Sequence, residues 1–133
     1  MAFRSLDFVY MPSRDVARDL RHFTDALGGE PVFAIEAFDT RVAMVRLSEE
    51  GPRVLLAGHL EGEVPVLVYR VDDLDQALER LEESGAEVES RFEIPHGPCA
   101  ALALAGAQRI ALYELTRPEA EERLGGRMDF EAG

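Results

Sequence analysis

Residues 66–88 read VLVYRVDDLDQALERLEESGAEV and predict a strand followed by a capped helix. The opening residues, VLVYRV, are mostly β-branched, aromatic or otherwise apolar and predict a strand over 66–71. Asp72 or Asp73 can cap the helix that follows, because a carboxylate accepts hydrogen bonds from the unpaired amides of a first helical turn. Gly85 ends the helix, since glycine tolerates the left-handed conformation of a helix C-cap. The helix carries one apolar stripe, which consists of Leu74, Ala77, Leu78 and Leu81.

The same order of signals occurs earlier in the chain. Residues 6–11, LDFVYM, predict a strand with apolar residues on both faces, and Ser13 is the predicted N-cap of the next helix. Gly28 and Gly29 are the predicted end of that helix. Its apolar stripe consists of Val16, Leu20, Phe23 and Leu27.

Three predicted strands follow each helix and are separated by turn residues. They are 32–38, 42–47 and 53–59 after the first helix, and 88–94, 100–105 and 109–115 after the second. The order βαβββ therefore occurs twice, which predicts a single domain, 1–133, with modules 1–60 and 61–115. A short linker joins the modules, and either module alone would leave a sheet face open.

Residues 116–133 form a C-terminal segment outside the repeat. Residues 116–119, TRPE, match a capping box with a threonine N-cap and predict a short helix that Gly125 ends. Met128 and Phe130 are isolated apolar residues in the polar tail beyond it. They fit a flexible end, and they also fit an arm that docks on the sheet or on a partner subunit.

The composition is that of an acidic globular protein. The chain has 133 residues, of which 47% are hydrophobic and 30% are charged, and its formal net charge is −12. This charge argues against nucleic-acid binding and favours a neutral or cationic ligand over an anionic one. No apolar run could span a bilayer or serve as a signal peptide, and the single cysteine, Cys99, excludes an internal disulfide. We therefore expect a cytoplasmic protein without membrane contacts.

Four stretches resemble the vicinal oxygen chelate superfamily, which includes glyoxalase I, extradiol dioxygenases and bleomycin-resistance proteins. They are FVYMPSRDVARDLRHFTDALGGEPVF (8–33), VLVYRVDDLDQALERLEESGAEV (66–88), IPHGP (94–98) and AGAQRIALYE (105–114). The resemblance implies an α+β fold in which two βαβββ modules have curved mixed sheets that form half-barrels. It also implies that the functional site lies on the concave face of the sheet.

The superfamily's enzymes hold a divalent metal with side chains from four strands. The resemblance implies that the corresponding positions of this chain are occupied by apolar residues. None of these residues can donate a lone pair to a metal ion. A shift by one residue along the first strand would bring in Asp7, whose side chain we expect to face the helix layer because neighbouring strand residues point to opposite faces. The resemblance therefore implies neither a metal nor a cofactor. The positions are Phe8, Leu55, Val66 and Ala111.

The strand period places further residues on the same concave face. This face is mainly apolar with a few polar groups, which suits a small organic ligand with His59 and Arg70 as orienting groups. Alternatively, the side chains fill the half-barrel themselves. The predicted ligand-binding residues are Phe8, Tyr10, Leu55, His59, Val66, Val68, Arg70, Ala111 and Tyr113.

The histidines and the cysteine have simple interpretations. We expect His22 to face solvent from its helix, and His96 to be an ordinary turn residue within 95–98. His59 can hydrogen-bond a ligand, or it can be an ordinary residue at a strand end. Cys99 precedes an apolar strand and is expected to be a buried, inert thiol.

The resemblance therefore implies metal-independent binding of a small organic molecule by a homodimer, similar to the antibiotic-sequestering members of the superfamily. Two alternatives remain open. One is a glyoxalase-like lyase or isomerase that uses Tyr10, His59 or Tyr113, although no catalytic residue is assigned. The other is a protein-interaction module of the same fold, which a filled hollow and an exposed apolar patch would favour.

Overall fold

The chain folds around one eight-stranded mixed sheet that curves without closing. A computed structural model describes residues 2–37 and 39–133, so Phe38, the last residue of the predicted strand 32–38, lies outside the described part. The strands are β1 (Ser5–Pro12), β2 (Glu30–Ala37), β3 (Thr40–Arg46), β4 (Arg53–Ala57), β5 (Val66–Val71), β6 (Glu87–Ile94), β7 (Gly97–Ala103) and β8 (Ile110–Glu114). The helices are α1 (Val16–Arg21), α2 (Leu74–Glu83) and α3 (Ala120–Leu124). None of these helices has the length and apolar character needed to cross a membrane.

The strand pairing shows how the two halves of the chain are joined. The strands lie in the order β2-β3-β4-β1-β5-β8-β7-β6, with β1 parallel to β4 and β5 parallel to β8. β1 and β5 pair antiparallel and so connect the two modules. α1 packs over Leu56 and α2 packs over Leu112, both on the face that we call convex. The α+β fold predicted from the sequence is confirmed.

α1 begins after Asp15, and the prediction that Ser13 is its N-cap is wrong. The Asp15 carboxylate accepts a hydrogen bond from the Arg18 amide at 3.1 Å. Ser13 is instead held against the sheet, because its amide donates to the Ala57 carbonyl at 3.1 Å. In α2 the cap is Asp73, which is one of the two predicted candidates.

α1 ends earlier than the predicted apolar stripe. The next residues, His22–Ala26, form a π-helical turn, after which the Leu27 amide donates to the His22 carbonyl at 3.3 Å. The wider turn rotates Leu27 out of the stripe, so that 54% of this residue is exposed. Val16 and Leu20 remain buried against the sheet, as the stripe predicts.

The β6–β7 hairpin is tighter than the predicted turn 95–98. Gly97 already pairs with Ile94, so only the two residues between them form the turn. Glycine is required at this position because a Cβ would collide with the Glu114 carbonyl on β8. Elsewhere the predicted strand ends differ from the observed ends by at most three residues.

α3 lacks the predicted capping box. Its N-cap is Glu119, and no side chain caps the helix. The amides of Thr116 and Arg117 donate instead to the His96 carbonyl, at 3.1 and 2.9 Å. These bonds tie the segment before α3 to the β6–β7 turn, so the prediction of a threonine cap is wrong. Gly125 ends the helix as predicted.

The C-terminal tail docks on the sheet of its own chain, which is one of the two predicted alternatives. Met128 forms a parallel bridge with Ala34 on the edge strand β2. The Ala34 amide donates to the Arg127 carbonyl at 2.8 Å, and the Ala34 carbonyl accepts from the Asp129 amide at 2.7 Å. Phe130 is 8% exposed and packs into the core under α1. The tail therefore covers one edge of the sheet.

Phe130→Ala should destabilise the fold much more than Met128→Ala. Truncating a buried phenylalanine costs about 3 kcal/mol of unfolding free energy. Met128 is 49% exposed, so its truncation should cost less than about 0.5 kcal/mol. Urea unfolding of both variants beside the wild type measures the difference. Equal losses would show that Phe130 is not part of the core.

Candidate ligand-binding site

The concave face of the sheet encloses a cavity of about 470 Å³. Both edge strands contribute to its wall, since β2 supplies Phe33 and Ile35 while β6 supplies Phe92 and Ile94. β2 and β6 stand at opposite ends of the strand order, so the sheet must curl until its two edges approach each other. The cavity therefore lies between the two modules.

The cavity floor comes from the central strands, where the two modules join. Tyr10 on β1 lies between Leu55 on β4 and Val66 on β5. Val68 pairs with Ala111 on β8 beside them. Six of the predicted ligand-binding residues line this cavity, namely Tyr10, Leu55, His59, Val66, Val68 and Ala111.

The walls of the cavity were not predicted from the sequence. Successive side chains of each wall strand point to opposite faces of the sheet, as in FAI at 33–35 and FEI at 92–94. This alternation does not reveal that the two sheet edges approach each other. The proximity of β2 and β6 follows from the curvature of the whole sheet, which no local pattern encodes. The additional lining residues are Phe33, Ile35, Val42, Leu60, Phe92, Glu93, Ile94, Pro95 and Cys99.

The other half of the concave face is filled. Phe8 is 4% exposed, and its ring centroid lies 4.5 Å from that of His96 and 5.3 Å from that of Tyr113. Leu124 on α3 packs against the same cluster. Phe8, Arg70 and Tyr113, which were predicted to bind ligand, thus lie outside the lining of the cavity. The two expectations for the hollow, an open pocket and a filled half-barrel, each describe one half of it.

Asp7 belongs to this filled half, and the expectation that it faces the helix layer is wrong. β1 has a register shift between Leu6 and Phe8, a β-bulge that inserts an unpaired residue and breaks the alternation of faces. The Asp7 carboxylate accepts a hydrogen bond from the Tyr113 hydroxyl and lies 3.6 Å from the Arg70 Nε atom. The polar groups of Tyr113 and Arg70 are therefore engaged with Asp7.

Neither a protein-family model nor a curated protein matches this chain, whereas solved structures match its fold. Methylmalonyl-CoA epimerase from Mycobacterium tuberculosis gives a TM-score of 0.67 at 22% identity, covering 90% of this chain and 93% of that one. A variant of Streptomyces coelicolor methylmalonyl-CoA epimerase in complex with 2-nitronate-propionyl-CoA gives a TM-score of 0.72 at 12% identity, covering 86% and 96%. The chain has the glyoxalase/bleomycin-resistance-like fold. Identities this low establish the fold alone.

The residues of this chain do not fit the metal of the vicinal oxygen chelate enzymes. The side chains at the positions that the resemblance assigns to the metal are all hydrocarbon. In the described ranges, 2–37 and 39–133, no group of three or more His, Cys, Asp or Glu residues could hold a metal ion. The nearby Asp7 carboxylate is engaged with Tyr113. The four positions are Phe8, Leu55, Val66 and Ala111.

The hydroxyl and thiol groups near the cavity stay protonated at neutral pH. Burial raises the pKa of Tyr10, and burial together with the hydrogen bond to Asp7 raises the pKa of Tyr113. Burial also raises the pKa of the Cys99 thiol to about 12, in agreement with the buried thiol predicted from the sequence. These groups can donate hydrogen bonds, but they supply neither a base nor a thiolate nucleophile.

The histidines differ in their surroundings. His22 is exposed as expected, and His59 is exposed at the rim of the cavity. His96 lies in the predicted turn but is only 5% exposed, so its description as an ordinary turn residue needs correction. Its Nδ1 atom has no hydrogen-bond partner within the described part of the chain. Burial lowers the pKa of His96, although the charges of Glu121 and Asp7 oppose this shift.

The buried His96 should make stability depend on pH. Because its pKa is lowered in the folded state, the unfolded chain binds more protons below about pH 6.5. The contribution of neutral His96 to stability is present above that pH and is lost as the pH falls.

Urea unfolding from about pH 7.5 to about pH 5.5 measures this effect. The unfolding free energy should fall more in the wild type than in His96→Gln. His22→Gln, which changes an exposed histidine, should behave like the wild type. A His96→Gln protein with the wild-type pH dependence would contradict a neutral, buried His96.

Proposed function

We propose that the chain binds a small, mainly apolar organic molecule in the cavity between its modules and needs no metal ion to do so. The lining of the cavity supports this proposal. It is a concave and largely apolar surface with few polar groups, and it surrounds a volume of about 470 Å³. An apolar molecule that buries about 200 Å² of its surface there gains about 5 kcal/mol before the cost of ordering. We base the proposal on this gain in binding free energy, because the cavity floor has few polar groups that a ligand could bind.

The lining does not favour a coenzyme A ester, although proteins of similar fold include methylmalonyl-CoA epimerases. Phosphate groups are commonly bound by Arg or Lys side chains. Within the described chain, the lining contains no Arg or Lys, and Glu93 is its one carboxylate. Glu93 accepts a hydrogen bond from the Arg117 guanidinium at 2.8 Å. Together with the net charge of −12, these groups support a neutral or cationic ligand.

Binding without turnover has more support than a lyase or isomerase reaction. Tyr10 and Tyr113 are protonated at neutral pH, and burial raises the pKa of both further, so neither supplies a base. Tyr113 also lies outside the lining, and His59 is exposed at the rim. The proposed activity is therefore sequestration, as in the antibiotic-sequestering proteins that the sequence resembles.

The open cavity also favours ligand binding over a protein-interaction module, which a filled hollow would have supported. The homodimer predicted from the sequence stays a prediction, and so does the cytoplasmic location. The tail covers the β2 edge of the sheet, whereas β6 ends the strand order on the other side and carries Phe92, which is 45% exposed. A second copy would therefore pair along β6.

A thermal-shift screen followed by product analysis tests the proposed function. The compounds are aromatic antibiotics, catechols, methylglyoxal–thiol adducts and methylmalonyl-CoA. We expect at least one neutral or cationic aromatic compound to stabilise the protein without being converted, and methylmalonyl-CoA to have no effect. Conversion of a stabilising compound would contradict sequestration and favour the lyase or isomerase.

Val66→Asp should abolish binding of a stabilising compound, because it places an unpaired charge in the apolar floor. Val64→Asp is the matched control, since Val64 is an exposed loop residue and its variant should bind like the wild type. EDTA should leave the affinity of the wild type unchanged. A folded Val66→Asp protein with wild-type affinity would place the site elsewhere, and loss of binding in EDTA would contradict metal independence.

A further inference from the structure

Tyr10 lines the cavity and carries a hydroxyl group. Tyr10 is half-buried, and its ring centroid lies 6.4 Å from that of Phe8 in an edge-on arrangement. None of the described residues forms a hydrogen bond with the Tyr10 hydroxyl. A buried tyrosine hydroxyl usually finds a partner, as Tyr113 does by donating to Asp7. Tyr10 is open to the cavity, so a ligand bound there can accept a hydrogen bond from its hydroxyl in place of water.

The other polar groups of the lining are already engaged or solvated. The Glu93 carboxylate is bound by the Arg117 guanidinium. His59 is exposed at the rim, and the Cys99 thiol is a weak donor. In the described lining, Tyr10 is therefore the strong donor that is left free beside the apolar floor.

We propose that Tyr10 determines the specificity of the cavity, and that its hydroxyl donates to a ligand that is uncharged and apolar except for one acceptor oxygen, as in a ketone, ester, lactone or ether. This inference rests on the proposed function. The hydroxyl can donate because a tyrosine is protonated at neutral pH, and burial raises the pKa of Tyr10 further. A carboxylate ligand would meet no Arg or Lys in the described lining, and a hydrocarbon would leave the hydroxyl unpaired.

Indane and 1-indanone are suitable probes, because they share a ring skeleton and differ in one carbonyl oxygen. NMR titrations that follow the methyl groups of Val66 and Val68 give both dissociation constants for the wild type, Tyr10→Phe and Tyr69→Phe. Tyr10→Phe removes only the hydroxyl. Tyr69→Phe is the matched control, since Tyr69 is also half-buried but packs against Phe3 on the convex face.

The ratio of the indane to the 1-indanone dissociation constant should fall about two- to tenfold in Tyr10→Phe, which is the effect of one neutral hydrogen bond. The ratio should be unchanged in Tyr69→Phe. If both probes bind and the ratio is unchanged in Tyr10→Phe, the role of Tyr10 is overturned while the proposed function stands. If neither probe binds to the wild type although a compound of the thermal-shift screen does, this inference is overturned while the proposed function stands. If neither the probes nor the screened compounds bind, both are overturned.

Discussion

The antiparallel pairing of β1 with β5 determines how the two halves of the chain come together. It joins the two modules into one sheet and places Tyr10 opposite Val66. Each of these two strands is also parallel to a strand of its own module, β4 or β8. The four central strands therefore present their alternating residues to one concave face, and the outer strands curl over it. The cavity follows from this join, because the two modules meet at its floor.

One irregularity in β1 divides the concave face into two halves. The bulge between Leu6 and Phe8 brings the Asp7 carboxylate to the Tyr113 hydroxyl, and these two groups form a hydrogen bond inside the filled half. Phe8 fills the remaining space with its ring. Past the bulge the pairing of β1 is regular, and Tyr10 reaches the open half together with apolar residues of neighbouring strands. A cavity suited to an apolar molecule thus lies directly beside a half that is closed by its own side chains.

The sequence predicts the cavity floor better than it predicts the walls or the helix starts. The alternation of side chains along a strand places Val66 and Val68 on the concave face, because assigning the face of one residue in a regular strand fixes the faces of the others. The walls depend on curvature of the whole sheet, which sets the distance between strands far apart in order. The N-caps predicted at Ser13 and at residue 116 are wrong because the helices begin later, after Asp15 and after Glu119. The backbone amides of both residues donate to carbonyls, those of Ala57 and His96.

A crystal structure of the protein soaked with 1-indanone tests most directly whether the open half of the concave face is a ligand site. We expect density for the rings against Val66 and Ala111, with the carbonyl oxygen within hydrogen-bond distance of the Tyr10 hydroxyl. Density only outside the open half of the concave face, or no density at a concentration that saturates the protein in solution, would contradict this assignment.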